Sequence, residues 1–472
     1  MDEKKRALFA AHSIPGALFR LAFPTVIGQI ILVVYNMADT FFVGLTGNDA
    51  TLSAVTVCTP AFMVLSAVSN LYGAGGASVI SRALGAGESA RVKKASSFAF
   101  WACLATAAAY ALAAYLWRSV FADLLGGTDP AVHESAVTYL TVTVSIGGPC
   151  TALSGLMAHL IRAEGRSVHS GAGVVLGGVM NIFLDPLFMF VLLPPGKEAL
   201  GAATATALSN LVSLGYYGIV LYLIRKKSLL SFRPSAFSWK GTTPRAVISA
   251  GLPACVMTLF ENVSYAVMDK LLSLSGVAVQ AGGGVAKKIN MLSHCTVRGI
   301  TQGALPLIGY NYASGDRERM RKAVRAAHLA AAGAAALMTV IDFTLAEPLT
   351  GLFIHSGSPA LRDGAEFLRI LCLGAPFSAS AYTCISFFQA VGEKWQSLVL
   401  ALMRKGLLDI PLMFLLKAWL PIYGIVAATP IADAACCIAA NVLYARHART
   451  DRREPSDPQK TREAENAPRL LN

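Results

Sequence analysis

Charge is scarce in this chain. Only 14% of its 472 residues are Asp, Glu, Lys or Arg, against about 25% in soluble domains. With 55% hydrophobic residues and a mean hydropathy of +0.55, that scarcity excludes an ordinary soluble enzyme and leaves no stretch for a sizeable soluble domain. Recognisable metal and disulfide spacings are missing too. The nine cysteines make no CxxC, Cys436 and Cys437 are sequence neighbours poorly placed to bridge, and the eight histidines make no HxxxH or HExxH. The cysteines therefore read as small buried apolar residues, with no cofactor implied. The glycine runs Gly73-Ala74-Gly75-Gly76 and Gly282-Gly283-Gly284 are followed by no GK[ST], so they read as helix-packing surfaces and not phosphate loops. After Met1-Asp2-Glu3-Lys4-Lys5-Arg6 no short apolar core with a small-residue cleavage site follows, and no removed signal peptide is expected.

Acids are scarcer than bases, 27 against 40, for a net charge of +13. The surplus is not arranged for nucleic acid. It falls in alternate connections: Lys4 to Arg6, Arg82 to Lys94, Arg162 and Arg166, Arg225 to Arg245, Arg317 to Arg325, Lys394 to Lys405, and the tail from Arg446. That alternation is the positive-inside pattern. It implies a multi-pass protein of the cytoplasmic membrane with both termini in the cytoplasm, in contact with lipid and not with nucleic acid.

What is present is about a dozen apolar stretches of 20–30 residues, each long enough for a bilayer core. The expected fold is all-α, with twelve transmembrane helices in two six-helix lobes. The lobes are read as residues 1–225 and 246–447, joined by a cytoplasmic linker at 226–245 and followed by a disordered tail at 448–472. The chain also repeats itself. Pro24 and Gly47 recur as Pro253 and Gly276 at an offset of 229, Leu84 to Glu88 recurs as Tyr312 to Asp316 at 228, and Arg162 to Gly165 recurs as Gln389 to Gly392 at 227. Six helices per repeat is an even number, so the halves enter the membrane the same way and enclose a cavity between them, an architecture of alternating-access transporters.

A few polar residues stand inside these stretches. Asn181 and Asp185 lie four apart on one helix face, in about 20 residues of hydrocarbon from Val174 to Leu193. A buried aspartate costs about 2.5–3.5 kcal/mol on insertion scales, so an anchoring role does not explain it. Counting about 1.5 Å per residue puts Asp39, Asn181, Asp185 and Thr206 in one layer of the outer half. Two carboxylates, an amide and a hydroxyl suit a hard cation such as Na⁺, or a shared proton. In the second half Glu261, Lys287, Lys288 and Asp409 fall within the membrane. A lysine is expected to pair there with Glu261 or Asp409. Asp269 falls near the outer mouth, and Arg298 is expected near the cytoplasmic surface as an anchor.

In the order and spacing of several pieces the chain resembles the multidrug and toxic compound extrusion (MATE) family. They are Leu21-Ala22-Phe23-Pro24, Tyr35-Asn36-Met37-Ala38-Asp39-Thr40, Ser81 to Gly87, Ile161-Arg162-Ala163-Glu164-Gly165, Asn181 to Pro186, Gly201 to Thr206, Gly251-Leu252-Pro253 and Gly303 to Tyr312. The Asn-x-x-x-Asp-Pro and Gly-Tyr-Asn-Tyr signatures favour its bacterial MepA-like branch. The resemblance implies two lobes opening into a V, cation-coupled export of organic compounds, and an N-lobe cation site on Asp39, Asn181, Asp185 and Thr206. Glu261 matches the first member of a C-lobe acidic site known in another branch. The tenth helix, Phe367 to Phe388, holds no acid to complete it, with Ser380 at the matching place.

The reading is an antiporter, not an enzyme, that moves Na⁺ or H⁺ inward and amphipathic, mostly cationic compounds outward, acting as a monomer. A lipid or oligosaccharide flippase of related fold is the alternative, with Lys287, Lys288 and Arg369 as its candidate basic lining. A membrane transferase is a remoter one. The chamber between the lobes is expected to carry acids on its N-lobe wall, mixed charge on its C-lobe wall, and aromatic, Met and small residues elsewhere.

Overall fold

The computed structural model describes residues 8–453 except 11, 48, 127–128 and 355–357. The described residues form helices and no strands. The first half contains α1 (Ile14–Leu45), α2 (Asp49–Gly85), α3 (Ser89–Leu116), a short α4 (Arg118–Leu125), α5 (Pro130–Leu140), α6 (Gly148–Ala163), α7 (Ser167–Pro186) and α8 (Glu198–Ile224). The second contains α9 (Thr242–Ser273), α10 (Val277–Ala313), α11 (Arg317–Thr344), a short α12 (Ala346–Gly351), α13 (Pro359–Cys372), α14 (Ala375–Val391), α15 (Lys394–Leu402), α16 (Ile410–Lys417) and α17 (Tyr423–Arg453).

Eight of these helices are long and apolar enough to cross a membrane alone, and ten spans result when two bent pairs are each taken as one. Two more spans complete the twelve: α10, and α15 joined to α16 through a π-helical stretch, Met403–Asp409. Both contain arginine and lysine well inside the helix, which lowers their mean hydropathy.

The repeat is visible in the bends. The fourth span breaks by 48° between Ile146 and Gly148, and the tenth by 43° between Cys372 and Ala375. Each break is followed by a proline in the first helical turn, Pro149 and Pro376, where a missing N–H costs nothing. The two prolines are 227 residues apart, the offset that relates Arg162 to Gln389.

The lobes meet through α1 against α10 and α2 against α9. At the second seam the backbones touch. A methyl on Gly75 would collide with the Val247 carbonyl, and one on Gly251 with that of Leu71, so only glycine lets α2 and α9 approach this closely. Toward the face where the chain enters α1, side chains lock the seam. Ser78 Oγ donates to the Gln389 carbonyl at 2.5 Å and Arg82 Nη1 to that of Val391 at 3.3 Å. Phe9 stacks on Tyr310 with ring centroids 4.9 Å apart, and Arg319 donates to the carbonyls of Phe9 and His12 at 2.8 and 2.6 Å.

The stretch expected as a linker is tied to the first lobe. Glu164 accepts from the Leu229 N–H at 2.6 Å and the Ser228 hydroxyl at 2.9 Å, and Trp101 Nε1 donates to the Phe232 carbonyl at 3.0 Å. Phe237 and Trp239 pack on the ring of Phe98. At the other end α17 continues to Arg453, past the expected start of the tail at 448. Residues 454–472 of that tail lie outside the described residues.

Candidate functional site

In the first lobe α7 carries Asn181 and Asp185 on a buried face, 2% and 0% exposed. Asn181 Nδ2 donates to Asp185 Oδ1 at 3.3 Å and to Thr206 Oγ1 on α8 at 3.4 Å. Both bonds are long and leave other polar atoms unmatched. Asn181 Oδ1, Asp185 Oδ2 and Asp39 Oδ1 are buried and have no hydrogen-bond partner among the described residues. Asp39, on α1, lies within electrostatic reach of Asp185, and Tyr35 and Tyr139 lie within reach of both carboxylates. Buried polar atoms ordinarily find partners. Two unmatched oxygens on neighbouring turns of α7, with a third on Asp39 in electrostatic reach of Asp185, are acceptors that a small cation could satisfy. No group of three or more His, Cys, Asp and Glu side chains that could hold a metal ion occurs among the described residues. A cation here would have to use the amide and hydroxyl oxygens as well, which fits a hard ion.

The second lobe repeats this arrangement with a different filling. Asp409 is completely buried and accepts from Ser264 Oγ at 2.6 Å, Lys405 Nζ at 2.8 Å and Thr429 Oγ1 at 3.0 Å. Beside it Arg404 Nε pairs with Asp433 Oδ1 at 2.7 Å, and Arg404 Nη1 donates to the Tyr382 hydroxyl at 2.6 Å. That hydroxyl also accepts from Arg298 Nη2 at 2.9 Å, and the same nitrogen reaches both oxygens of Glu261 at 2.7 Å. An interior ion network survives when its charges are paired, and here three carboxylates face three cations, with Asp433 Oδ2 and Arg298 Nε left without a partner among the described residues.

Between the lobes lies a chamber of about 300 Å³, walled by Tyr35, Phe62, Met63, Tyr265 and Met291 and by many amides and hydroxyls, Asn181 and Thr206 among them. Below it a smaller cavity of about 40 Å³ shares His159, Arg162, Arg298 and Gln302 with the chamber.

The model of the MatE family matches residues 24–187 and again residues 253–415. The chain belongs to the MatE family. The two matches begin at Pro24 and Pro253, the prolines that first exposed the repeat. The chain is similar to the multidrug export protein MepA of Staphylococcus saprophyticus, 26% identical over 444 residues that make up 94% of this chain and 96% of that protein. The MepA of Staphylococcus aureus strain MRSA252 is 23% identical over 444 residues, again 94% of this chain and 96% of that protein. Among solved structures, the outward-facing conformation of a multidrug resistance MATE family transporter superposes with a TM-score of 0.87 at 22% identity, over 96% of this chain and 99% of that one. That likeness is one of fold.

Within this MatE-family transporter the charged residues depart from the sequence reading in four ways. Lys287 pairs with Asp269, and Lys288 lies within electrostatic reach of Asp39, so neither lysine takes Glu261 or Asp409 as expected. Their actual partners are Arg298 and Lys405. Arg298 is no surface anchor but a chamber residue. At 37 residues α10 is about 55 Å long, well beyond a bilayer core, so depth counted from its first residue placed Arg298 too near the surface. Arg404 and Lys405, grouped by sequence with a basic loop, lie inside a span, and Arg162 and Arg166, at the connection between α6 and α7, are buried like them. Finally, Asp39 and Asp185 stand behind the chamber wall, which exposes Asn181 and Thr206. Glu261 is the one acid on the wall among the described residues, and Arg298 holds it. The chamber's basic side chains are Arg162 and Arg298, not Lys287, Lys288 or Arg369.

Sequence reasoning also missed Tyr139, Tyr382, Asp433 and the histidines 159 and 294. A signal existed for Asp433: an acid amid the apolar residues from Ile425 to Ala440 is as conspicuous as Asp185. Tyr139 and Tyr382 had none, since a tyrosine in an apolar helix needs no special account.

Proposed function

We propose that the chain is an antiporter that couples inward movement of Na⁺ or H⁺ to export of amphipathic organic compounds across the cytoplasmic membrane, working as a monomer with both termini in the cytoplasm. The observation that carries this reading is the set of three buried, unmatched oxygens on Asp39, Asn181 and Asp185, set directly behind a wall of the interlobe chamber. A cation or proton entering the cluster neutralises carboxylate charge where α1 and α7 pack together. Its loss returns two like charges to a poorly hydrated place. Such a change favours one arrangement of the helices over another, which is what alternating access requires. With the seam locked on the face that carries the N-terminus, the conformation described corresponds under this topology to the outward-facing state. The S. saprophyticus relative is named as a multidrug export protein, and its match over nearly the whole chain supports the same class of cargo here.

The chamber suits such cargo. Tyr35, Phe62 and Tyr265 offer aromatic faces to flat apolar bodies and to organic cations, and Met63 and Met291 adapt to shape. The deciding experiment is dye efflux from inverted vesicles with the proton and Na⁺ gradients imposed separately. Efflux driven by one gradient supports the reading and names the ion. Efflux indifferent to both would remove it.

A further inference from the structure

Four arginine and lysine residues are buried among the described residues: Arg162, Arg166, Arg404 and Lys405. Three have a carboxylate partner, Arg166 with Glu164 at 3.0 Å, Arg404 with Asp433 at 2.7 Å and Lys405 with Asp409 at 2.8 Å. Arg162 is the exception. Its Nη1 donates to Gln302 Oε1 at 3.2 Å and its Nη2 to Ser170 Oγ at 3.4 Å, both neutral and both at long range. Its Nε is buried with no partner among the described residues. A buried guanidinium without a counter-ion is costly, and a helix meant only to pack would not retain it.

Its place gives the charge a use. Arg162 lies on the floor of the chamber, lining both the main cavity and the small one below. The small cavity, about 40 Å³, is roomier than the roughly 10–15 Å³ that admits a water, and so takes a compact polar group. No acid lines it among the described residues. Nearby, His159 Nε2 is bonded to Asn70 Oδ1 at 3.1 Å, and Asn70 Nδ2 to Thr258 Oγ1 at 2.9 Å, which fixes the imidazole at the rim. Gln302 comes from the second lobe, so the guanidinium sits where the two lobes meet.

We propose that this floor is a seat for an oxyanion, the carboxylate, sulfonate or phosphate of an amphipathic compound whose apolar body fills the chamber above. Arg162 supplies the charge, and its planar fork suits such a group. The cargo of the transporter, granted the export reading above, then includes amphipathic anions and zwitterions as well as cations.

The test uses the purified full-length chain and two probes of comparable bulk, 5-dimethylaminonaphthalene-1-sulfonate and tetraphenylphosphonium. Arg162→Gln is expected to weaken the sulfonate by about tenfold or more, the value of one charge-assisted pair, with tetraphenylphosphonium binding unchanged. The sulfonate should raise the melting temperature of the wild type and not of the variant. Without ligand, Arg162→Gln should melt no lower than the wild type, whereas a merely structural arginine would leave a loosened protein. Should Arg162→Gln not fold, Gln302→Glu decides the matter. It supplies the missing carboxylate and must weaken the sulfonate by a similar factor. Absence of sulfonate binding to the wild type, unchanged binding in the variant, or equal weakening of both probes would overturn the seat. Repeating the titration in phosphatidylcholine nanodiscs with and without phosphatidylglycerol assigns its source. Competition by the anionic lipid makes the seat a headgroup site, and its absence makes it a site for free compounds. If neither ion gradient drives efflux of either probe from vesicles, the export reading fails while the binding comparison still judges the seat.

Discussion

Lys405 stands in the second lobe where Asn181 stands in the first, four residues before an aspartate in each case. Asp185 and Asp409 are both followed closely by a proline, Pro186 and Pro411, and each site takes in a threonine of the next span, Thr206 accepting from Asn181 and Thr429 donating to Asp409. The glycines five residues before those threonines, Gly201 and Gly424, each press on the helix that carries the aspartate's span. The lobes thus hold two versions of one site. In the first an amide leaves carboxylate oxygen unmatched, and in the second an ammonium on the protein's own chain satisfies it. Lys405→Asn is expected to recreate the first version in the second lobe. In choline chloride the variant should lose about 3–5 kcal/mol of stability, because Asp409 is left buried and unpaired. Adding NaCl should restore part of that loss. Thermal melts in the two salts check this, and a loss that no small cation relieves would contradict the idea of equivalent sites.

Asp185→Asn removes the charge of the first site and keeps its shape. Coupled efflux from inverted vesicles should fall to background, while insertion and thermal stability stay at or above wild-type values, since the lost carboxylate was poorly matched. Wild-type efflux by this variant would take Asp185 out of the mechanism. Asp39→Asn should behave alike, because the two carboxylates lie within electrostatic reach of each other.

Glu261 and Arg298 test whether the chamber's pair is matched as drawn. Glu261→Gln leaves Arg298 without its carboxylate and should cost about 2–5 kcal/mol of stability, the range for breaking a buried, hydrogen-bonded ion pair. Arg298→Gln in the same protein should recover a good part of it. A double-mutant cycle with no coupling would show that the two side chains act separately.

At the seam, Gly251→Val sets a branched side chain against the Leu71 carbonyl. The variant should insert normally yet fail to hold the seam closed. A cysteine placed at Ser78, in a background without the native cysteines, should then react faster with a maleimide supplied from the N-terminal face. Unchanged labelling would mean that close backbone approach is not what holds the lobes together.

Much of this molecule could be read before its fold was known, for reasons that are local. Asn181 and Asp185 share a helix face by spacing alone, and their neighbourhood is so apolar that any polar pair stands out. The bends at Pro149 and Pro376 follow from the same duplication that Pro24 and Pro253 reveal. What escaped depends on partners far apart in the chain. Arg404 resembles one more basic residue of a cytoplasmic loop until Asp433, in the next span, is seen against it. Arg298 was misplaced because a helix longer than the bilayer has no fixed starting depth. Asp39 and Asp185 were expected on the chamber wall and stand behind it, since rise per residue gives height and says nothing of azimuth.

The way Glu164, Trp101 and Phe98 hold residues 228–239 has a mechanical consequence. A connection of some 20 residues between two rocking bodies would act as a slack tether if it were free. Clamped to the first lobe, it shortens the moving joint to the few residues between Trp239 and the start of α9 at Thr242, with Gly241 at φ 104° among them. Under the alternating access proposed above, the second lobe would swing from a pivot fixed to the first. The angle it sweeps is set by a joint that a single residue change at Gly241 could stiffen.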